Sequence, residues 1–406
     1  MAMNRHHFSR LAGLHLLAAG VLALVAGASI ARAQSLSDVG STPASGWVLT
    51  PTLVFSTSHD DNVLARGATD SPQGDVVNVL NPRASLDFMG RRTQFSGTYD
   101  GAMLLYRNLD TLNSYDQHGG ARVSHKLSPH MSLFGASTLA MSPTTDSLQL
   151  AGVPFVRTGS SLKELSGGVD TAFTKRTSMV AEAQFQWVHF DEARPLDLLL
   201  RGGHSQGGSV TLKHRLSART TLTGDYSLDR ALVANGQAEF HVQNTSGGFE
   251  HKLSDRFQMF AAAGISHLGL TTFGPARTGA SYRAGLTSQL RLVNVDVSYN
   301  RSFVPSFGFG GTMQNQDFTA QVRATPTRRT YVQSSFSWRR NDPLTVGELS
   351  LRTFWMQVTG GYAIQPWARI EGFYGALSTA FDRPGGLVDR TRFGVQIVTA
   401  QPIRIR

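Results

Sequence analysis

Residues 80–103 read Leu80-Asn81-Pro82-Arg83-Ala84-Ser85-Leu86-Asp87-Phe88-Met89-Gly90-Arg91-Arg92-Thr93-Gln94-Phe95-Ser96-Gly97-Thr98-Tyr99-Asp100-Gly101-Ala102-Met103. Before the central Gly90-Arg91-Arg92, the apolar set Leu80, Pro82, Ala84, Leu86 and Phe88 alternates with Asn81, Arg83, Ser85 and Asp87. After it, Phe95, Gly97, Tyr99, Gly101 and Met103 alternate with Gln94, Ser96, Thr98 and Asp100. A period of two puts one set on each face of a strand, so this is a hairpin with one apolar and one polar face. Each arm is longer than the 5 to 6 residues usual in soluble sheets. Roughly 9 to 11 residues cross a bilayer at a tilt.

The same unit recurs along the chain. Short polar turns stand at Gly90-Arg91-Arg92, Ser128-Pro129-His130, Thr174-Lys175-Arg176, Ser217-Ala218-Arg219, Ser254-Asp255-Arg256, Leu290-Arg291-Leu292, Pro326-Thr327-Arg328 and Gln365-Pro366, with starts 38, 46, 43, 37, 36, 36 and 39 residues apart. Several share one phrase, as in Leu127-Ser128-Pro129-His130, Leu216-Ser217-Ala218-Arg219 and Leu253-Ser254-Asp255-Arg256. Between them lie stretches without alternation: 59–75, 142–161, 191–203, 305–313, 341–348 and 380–388. Short turns at one end and long loops at the other describe a bacterial outer-membrane barrel, with periplasmic turns and extracellular loops. Eight turns join sixteen strands, and residues 46–57 and 389–399 add one at each end. The expectation is an all-β, transmembrane, antiparallel up-and-down β-barrel of about 18 strands, with 16 as the alternative.

Composition agrees. Charged residues are 16% of the 406 and Gly numbers 41, against roughly 25% and 7% in average soluble chains. After the N-terminal segment no run of 18 apolar residues occurs, which excludes a helical membrane protein. Aromatics at 9% argue against disorder. In hydrocarbon a sheet must close so that every backbone group is paired. Half of each strand then faces lipid and half faces water, which accounts for the low charge.

The N-terminus carries Arg5, His6, His7 and Arg10, then an apolar run from Leu11 to Ile30, then Ala31-Arg32-Ala33. This reads as a signal peptide, residues 1–33, cleaved after Ala33. A short periplasmic segment (34–45), the barrel (46–400) and a C-terminal tail (401–406) follow. Cys is absent, so neither disulfides nor a cysteine-linked lipid are expected. The net charge of +10 is spread at intervals rather than in one stripe, so nucleic acid is not an expected partner.

Residues 47–106 carry Trp47-Val48-Leu49-Thr50-Pro51, Ser58-His59-Asp60-Asp61-Asn62-Val63 in the first loop, and Asp75, Leu80-Asn81-Pro82, Tyr99 and Tyr106. On these residues the segment resembles the outer-membrane β-barrel porins, including barrels associated with exopolysaccharide and surface-protein sorting systems. The resemblance implies the fold and an outer-membrane location more than a substrate. The chain departs from the pattern at its end. Barrels of this kind usually finish on an aromatic residue, whereas here Arg392-Phe393-Gly394-Val395-Gln396-Ile397-Val398 runs on to Ile403-Arg404-Ile405-Arg406.

Catalytic arrangements are weak. His130 and Ser132, a His-x-Ser of the esterase kind, sit at a turn on the periplasmic end, and the spacing of His241 and Ser246 puts them on opposite faces. His59-Asp60-Asp61 and His189-Phe190-Asp191-Glu192 reach the extracellular rim, where a barrel protease would work, yet such residues are ordinary in loops. No catalytic residue and no cofactor is expected. Asp60, Asp61 and Asn62 either offer oxygen ligands to calcium or form an Asx-turn that orders the loop. By parity the candidate pore-lining residues are Arg83, Asp87, Asp100, Asp225, Asp229, Arg283, Asp296, Arg323, Arg369 and Glu371. They either set a transverse field that selects permeants or pair with one another. Trp47, Tyr106, Trp187, Trp338, Trp355 and Trp367 are expected in the interface girdles.

The expected function is a porin-like channel for small hydrophilic solutes or saccharides. The alternative is a non-conducting accessory or structural barrel linked to exopolysaccharide or surface-protein export. Expected partners are outer-membrane lipid and lipopolysaccharide and the barrel-assembly machinery. The discriminating feature is whether Ser142 to Ser161 folds inward.

Overall fold

The computed structural model describes residues 46–405 except 68–70, 146–152, 154, 192–199, 234–237, 270–274, 309–310, 345–348 and 383–385. The N-terminal segments read as signal peptide and periplasmic lead lie outside these. The first six strands are β1 (Gly46–Asp60), β2 (Asp75–Met89), β3 (Thr93–Tyr106), β4 (Ser114–Ser128), β5 (Met131–Ser142) and β6 (Ser160–Ala172). Then come β7 (Thr177–Phe190), β8 (Gly203–Arg215), β9 (Thr220–Val233), β10 (Ala238–Ser254), β11 (Phe257–Leu268) and β12 (Arg277–Gln289). The last are β13 (Val293–Ser306), β14 (Gly311–Ala324), β15 (Thr330–Pro343), β16 (Leu351–Gln365), β17 (Ala368–Phe381), β18 (Leu387–Ala400) and the short β19 (Ile403–Ile405).

Each of β1 to β18 pairs antiparallel with its neighbours in sequence, and β1 pairs with both β2 and β18. The sheet is a closed 18-strand up-and-down barrel, so no edge is left to seek a partner. All eight turns read from the sequence fall at one end, because each lies between an even-numbered strand and the next. The 16-strand alternative is excluded.

Residues 401–406, expected as a tail outside the barrel, belong partly to it. β19 pairs with Trp47–Leu49 in unbroken register with β18. The ladder is interrupted only where Pro51 on β1 and Pro402 across the seam remove donors, since proline has no N–H to give. β18 and β19 therefore act as one long strand closing the barrel.

The outward face is apolar and exposed: Leu53 and Phe55 on β1, Leu222 and Leu228 on β9, and Val395 and Ile397 on β18 all lie at 40% exposure or more. The inward face is identified by what meets across the lumen. Ala140 on β5, Val188 on β7 and Phe240 on β10 belong to one buried cluster, which is possible only inside the ring. Two expected girdle residues are corrected by this register. Tyr106 is buried and faces inward, and Trp355 shares the inward face of β16 with Gln357 and Thr359, opposite Ser337 and Leu377. Residue type suggested the interface, but strand parity overrides it. Trp47 does sit on the outside, with its ring 4.8 Å from Phe88 and 5.8 Å from Phe95.

One inward glycine has a packing reason. Gly361 on β16 faces Tyr331 on β15, and a Cβ there would stand within the tyrosine ring. Gly372, on the outward face of β17, meets nothing within 4 Å. We expect Gly361→Val to destabilise the barrel by about 1–3 kcal/mol through overpacking, and Gly372→Ala to be near neutral. Urea unfolding of protein refolded in vesicles, followed by tryptophan fluorescence, measures both; equal midpoints would refute the ring-over-glycine account.

Candidate functional site: the lumen and its outer mouth

All ten charged residues read by parity lie on the inward face, and most are joined to a partner. Arg83 on β2 meets Asp100 on β3 at 2.7 Å, and Asn81 donates to Asp100 at 2.8 Å. Arg283 on β12 reaches Asp225 on β9 at 2.9 Å, passing over small inward residues such as Ser246, Gly248 and Ala262. Thr211 also donates to Asp225 at 2.7 Å. Asp229 accepts from Gln184 at 3.0 Å, Asp296 from Thr287 at 3.1 Å, and Asp87 from Ser85 at 3.4 Å. Toward the short-turn end, Glu371 accepts from the Tyr331 hydroxyl, Arg369 and Gln396, while the Arg323 guanidinium lies 5.6 Å from the Tyr331 ring centre.

Further inward pairs join these: Lys213 with Glu250 at 2.7 Å and Arg339 with Asp317 at 3.5 Å. They obey the same parity, so extending the alternate count along β8, β10, β14 and β15 would have found them. The lumen is lined by opposite-sign pairs, by acids held on neutral donors such as Asp87, Asp229 and Asp296, and by hydroxyls and amides.

The long-loop end is different. Residues 153 and 155–157, between β5 and β6, lie across the mouth. Val153 and Val156 pack into the cluster with Val233, Phe240 and Phe303. Between them Phe155 packs into a second cluster with Ala65, Leu351, Phe381 and Val388, on the side where the barrel closes. Arg157 then donates to the Tyr106 hydroxyl at 3.0 Å and the Leu112 carbonyl at 2.8 Å on a third side. The crossing is pinned at its base, where the Val156 N–H donates to Thr145 Oγ1 at 2.8 Å. The outer end of β13 also leaves the wall. The β12–β13 ladder stops at Tyr282 and Arg301, and beyond it Phe303 and Phe307 join the inner cluster.

The Asp60-Asp61-Asn62 loop is a clamp on the β1–β18 seam. Asp60 is fully buried. One of its carboxylate oxygens accepts from the Asn62 N–H at 3.1 Å and the other from Arg390 Nε at 2.8 Å. Asp61 accepts from the Thr391 N–H at 2.6 Å. Asn62 donates to the carbonyls of Arg66 and Asp389 at 3.0 and 2.8 Å and accepts from the Arg66 N–H at 2.9 Å. These oxygens are engaged by N–H donors in the Asx-turn manner, and among the described residues no group of three His, Cys, Asp or Glu gathers as a metal site. Asp75 takes N–H groups of Val76, Asn108 and Leu109 and so orders the loop after β3.

The hydrolytic candidates do not converge. His59 and Asp60 point to opposite faces of β1, as do His241 and Ser246 on β10, and His130 stands at a short turn.

Architecture and lining together define a membrane-type β-barrel with a polar lumen and a loop-crossed mouth. No protein-family model and no curated protein matches the chain. Among solved structures it is similar to OccAB2 of Acinetobacter baumannii, with 10% identity over 88% of this chain and 98% of that one, at a TM-score of 0.47. OpdL of Pseudomonas aeruginosa gives 10% identity over 88% and 99%, TM-score 0.43. The siderophore receptor PirA of Pseudomonas aeruginosa gives 8% over 89% and 81%, TM-score 0.44.

Proposed function

We propose that this chain is an outer-membrane channel that passes small hydrophilic solutes or saccharides through a lumen narrowed at its outer mouth. The observation that carries the reading is the pairing of a polar inward face with one apolar loop segment anchored on three sides of the mouth. The outer membrane is the compartment that suits it. The wall is apolar outside, the turns are short at one end, and the loops are long at the other.

Because five inward pairs join opposite charges, Arg83–Asp100, Lys213–Glu250, Arg283–Asp225, Arg339–Asp317 and Arg369–Glu371, the favoured solutes are uncharged or zwitterionic. Selection by field is weak when opposite charges neutralise each other across the wall. Planar-bilayer recording of the refolded protein should therefore show small discrete steps with little preference between potassium and chloride. A strong preference for either ion would overturn the solute class, and a complete absence of steps would overturn the channel.

The second reading, a non-conducting barrel serving export of polysaccharide or surface protein, is favoured by the tightness of the same packing: Val156, Val233 and Phe240 are fully buried. The same recording separates the two.

A further inference from the structure

The outer wall over β13 to β16 is layered in a way that neither the lumen nor the mouth requires. In one lateral register row, Tyr299, Phe318, Trp338 and Phe354 lie side by side on four successive strands, facing outward. Aromatic rings of this kind mark the boundary between hydrocarbon and headgroups. One pleat step nearer the long-loop end, the next outward row is Arg301, Gln316, Arg340 and Arg352. Three guanidinium groups thus stand directly above an aromatic belt, on strands spaced about 4.8 Å apart.

That arrangement is unfavourable for the isolated protein. Arg340 and Arg352 are directly opposite one another on adjacent strands, and like charges in that relation are destabilising. Among the described residues the acid serving the row is Asp342, which is bound to Arg340 at 2.9 Å and so answers one charge of three. Arg301 lies over the Tyr282 ring at 5.9 Å and donates to Gln314 at 3.0 Å, while its Nε is buried and has no acceptor among the described residues. Planar guanidinium groups in such a cluster match phosphate oxygens two at a time. At this height, on the outward face and at the long-loop end, the anion in reach is the headgroup of an outer-leaflet lipid.

We propose that Arg301, Arg340 and Arg352 form a binding site for the phosphate groups of a phosphorylated glycolipid of the outer leaflet, whose acyl chains lie against the aromatic row beneath. The site depends on the outer-membrane reading and not on whether the lumen conducts. Gln316, between Arg301 and Arg340, supplies an amide donor to the same headgroup.

The test uses the full mature chain refolded in phosphatidylcholine vesicles carrying a small fraction of lipid A, in its bis-phosphorylated or its dephosphorylated form. The wild type should keep the bis-phosphorylated lipid through detergent extraction and release the dephosphorylated one. R301Q/R340Q/R352Q should retain the bis-phosphorylated lipid roughly a hundredfold less well, since each arginine near an anionic surface contributes roughly fivefold to binding. R91Q/R92Q, at a short turn of the opposite end, should behave as wild type. Equal retention by the triple variant, or equal retention of dephosphorylated lipid by the wild type, would overturn the site. Binding of radiolabelled inorganic phosphate as strong as that of lipid A would also overturn it, in favour of a free-anion site. Folding is checked by heat-dependent gel mobility. Conductance of the same samples tells failure of this site from failure of the channel reading, because the arginine row lies outside the lumen.

Discussion

Val156→Asp should open the barrel, raising single-channel conductance well above the wild-type step. Val156 has no exposed surface, and it sits where the segment between β5 and β6 docks onto Val233, Phe240 and Phe303. Removing a buried valine from an apolar site forfeits about 1.5 kcal/mol or more, and placing an unpaired carboxylate there costs several kcal/mol further until the group leaves for water. Each 1.4 kcal/mol is a tenfold change in an equilibrium, so the docked form should fall by about a hundredfold or more relative to the undocked one. The barrel wall is held by its own ladders and should survive, so the variant should keep its heat-dependent gel shift. Val156→Ile, which preserves apolar character, should record as wild type. If Val156→Asp folds and conducts at the wild-type level, the segment does not set the aperture.

The wall was readable from sequence because its determinants are local. The alternation in residues 80–103 and the phrase shared by Leu127-Ser128-Pro129-His130 and Leu253-Ser254-Asp255-Arg256 involve neighbours, and each hairpin repeats them. For the same reason Arg83 and Asp100, on two arms of one hairpin, could be placed on one face. What escaped is set by contacts distant in sequence. Tyr106 and Trp355 look like girdle residues, yet the face each occupies is decided by register with the neighbouring strands. Segment 142–161 has no period at all, and its only sequence signal is that Val153, Phe155 and Val156 interrupt a polar loop with bulk that has to be buried somewhere. The partner of Asp60 is Arg390, 330 residues away. Residues 401–406 read as a tail in the sequence, yet β19 resumes the same ladder beyond Pro402.

The Asp60–Arg390 pair makes the seam and the mouth one mechanical unit, and its loss should show in both. Closing an 18-strand barrel requires the first and last strands to find each other, and at the long-loop end their meeting is fixed by this ion pair and by the Asn62 and Asp61 bonds to Asp389 and Thr391. The Arg390 guanidinium also lies 5.0 Å from the centre of the Phe155 ring, so the residue that answers Asp60 supports the segment crossing the mouth. Asp60→Ala takes this carboxylate from Arg390, whose side chain is 13% exposed, and breaking such a largely buried pair typically costs about 3–5 kcal/mol. We expect a fall of about 3 kcal/mol in unfolding free energy in urea, together with more frequent open events in the bilayer as Arg390 turns away from Phe155. Asp60→Ala/Arg390→Met should recover part of the stability, because a neutral pair no longer strands a charge. It should remain noisy in conductance, because the cation over Phe155 is gone. A loss below about 0.5 kcal/mol for Asp60→Ala, the range of ordinary surface substitutions, would mean that the seam is held by its ladder alone. Stability loss without altered gating would mean that Arg390 serves the seam and leaves the mouth to the apolar packing of Val153 and Val156.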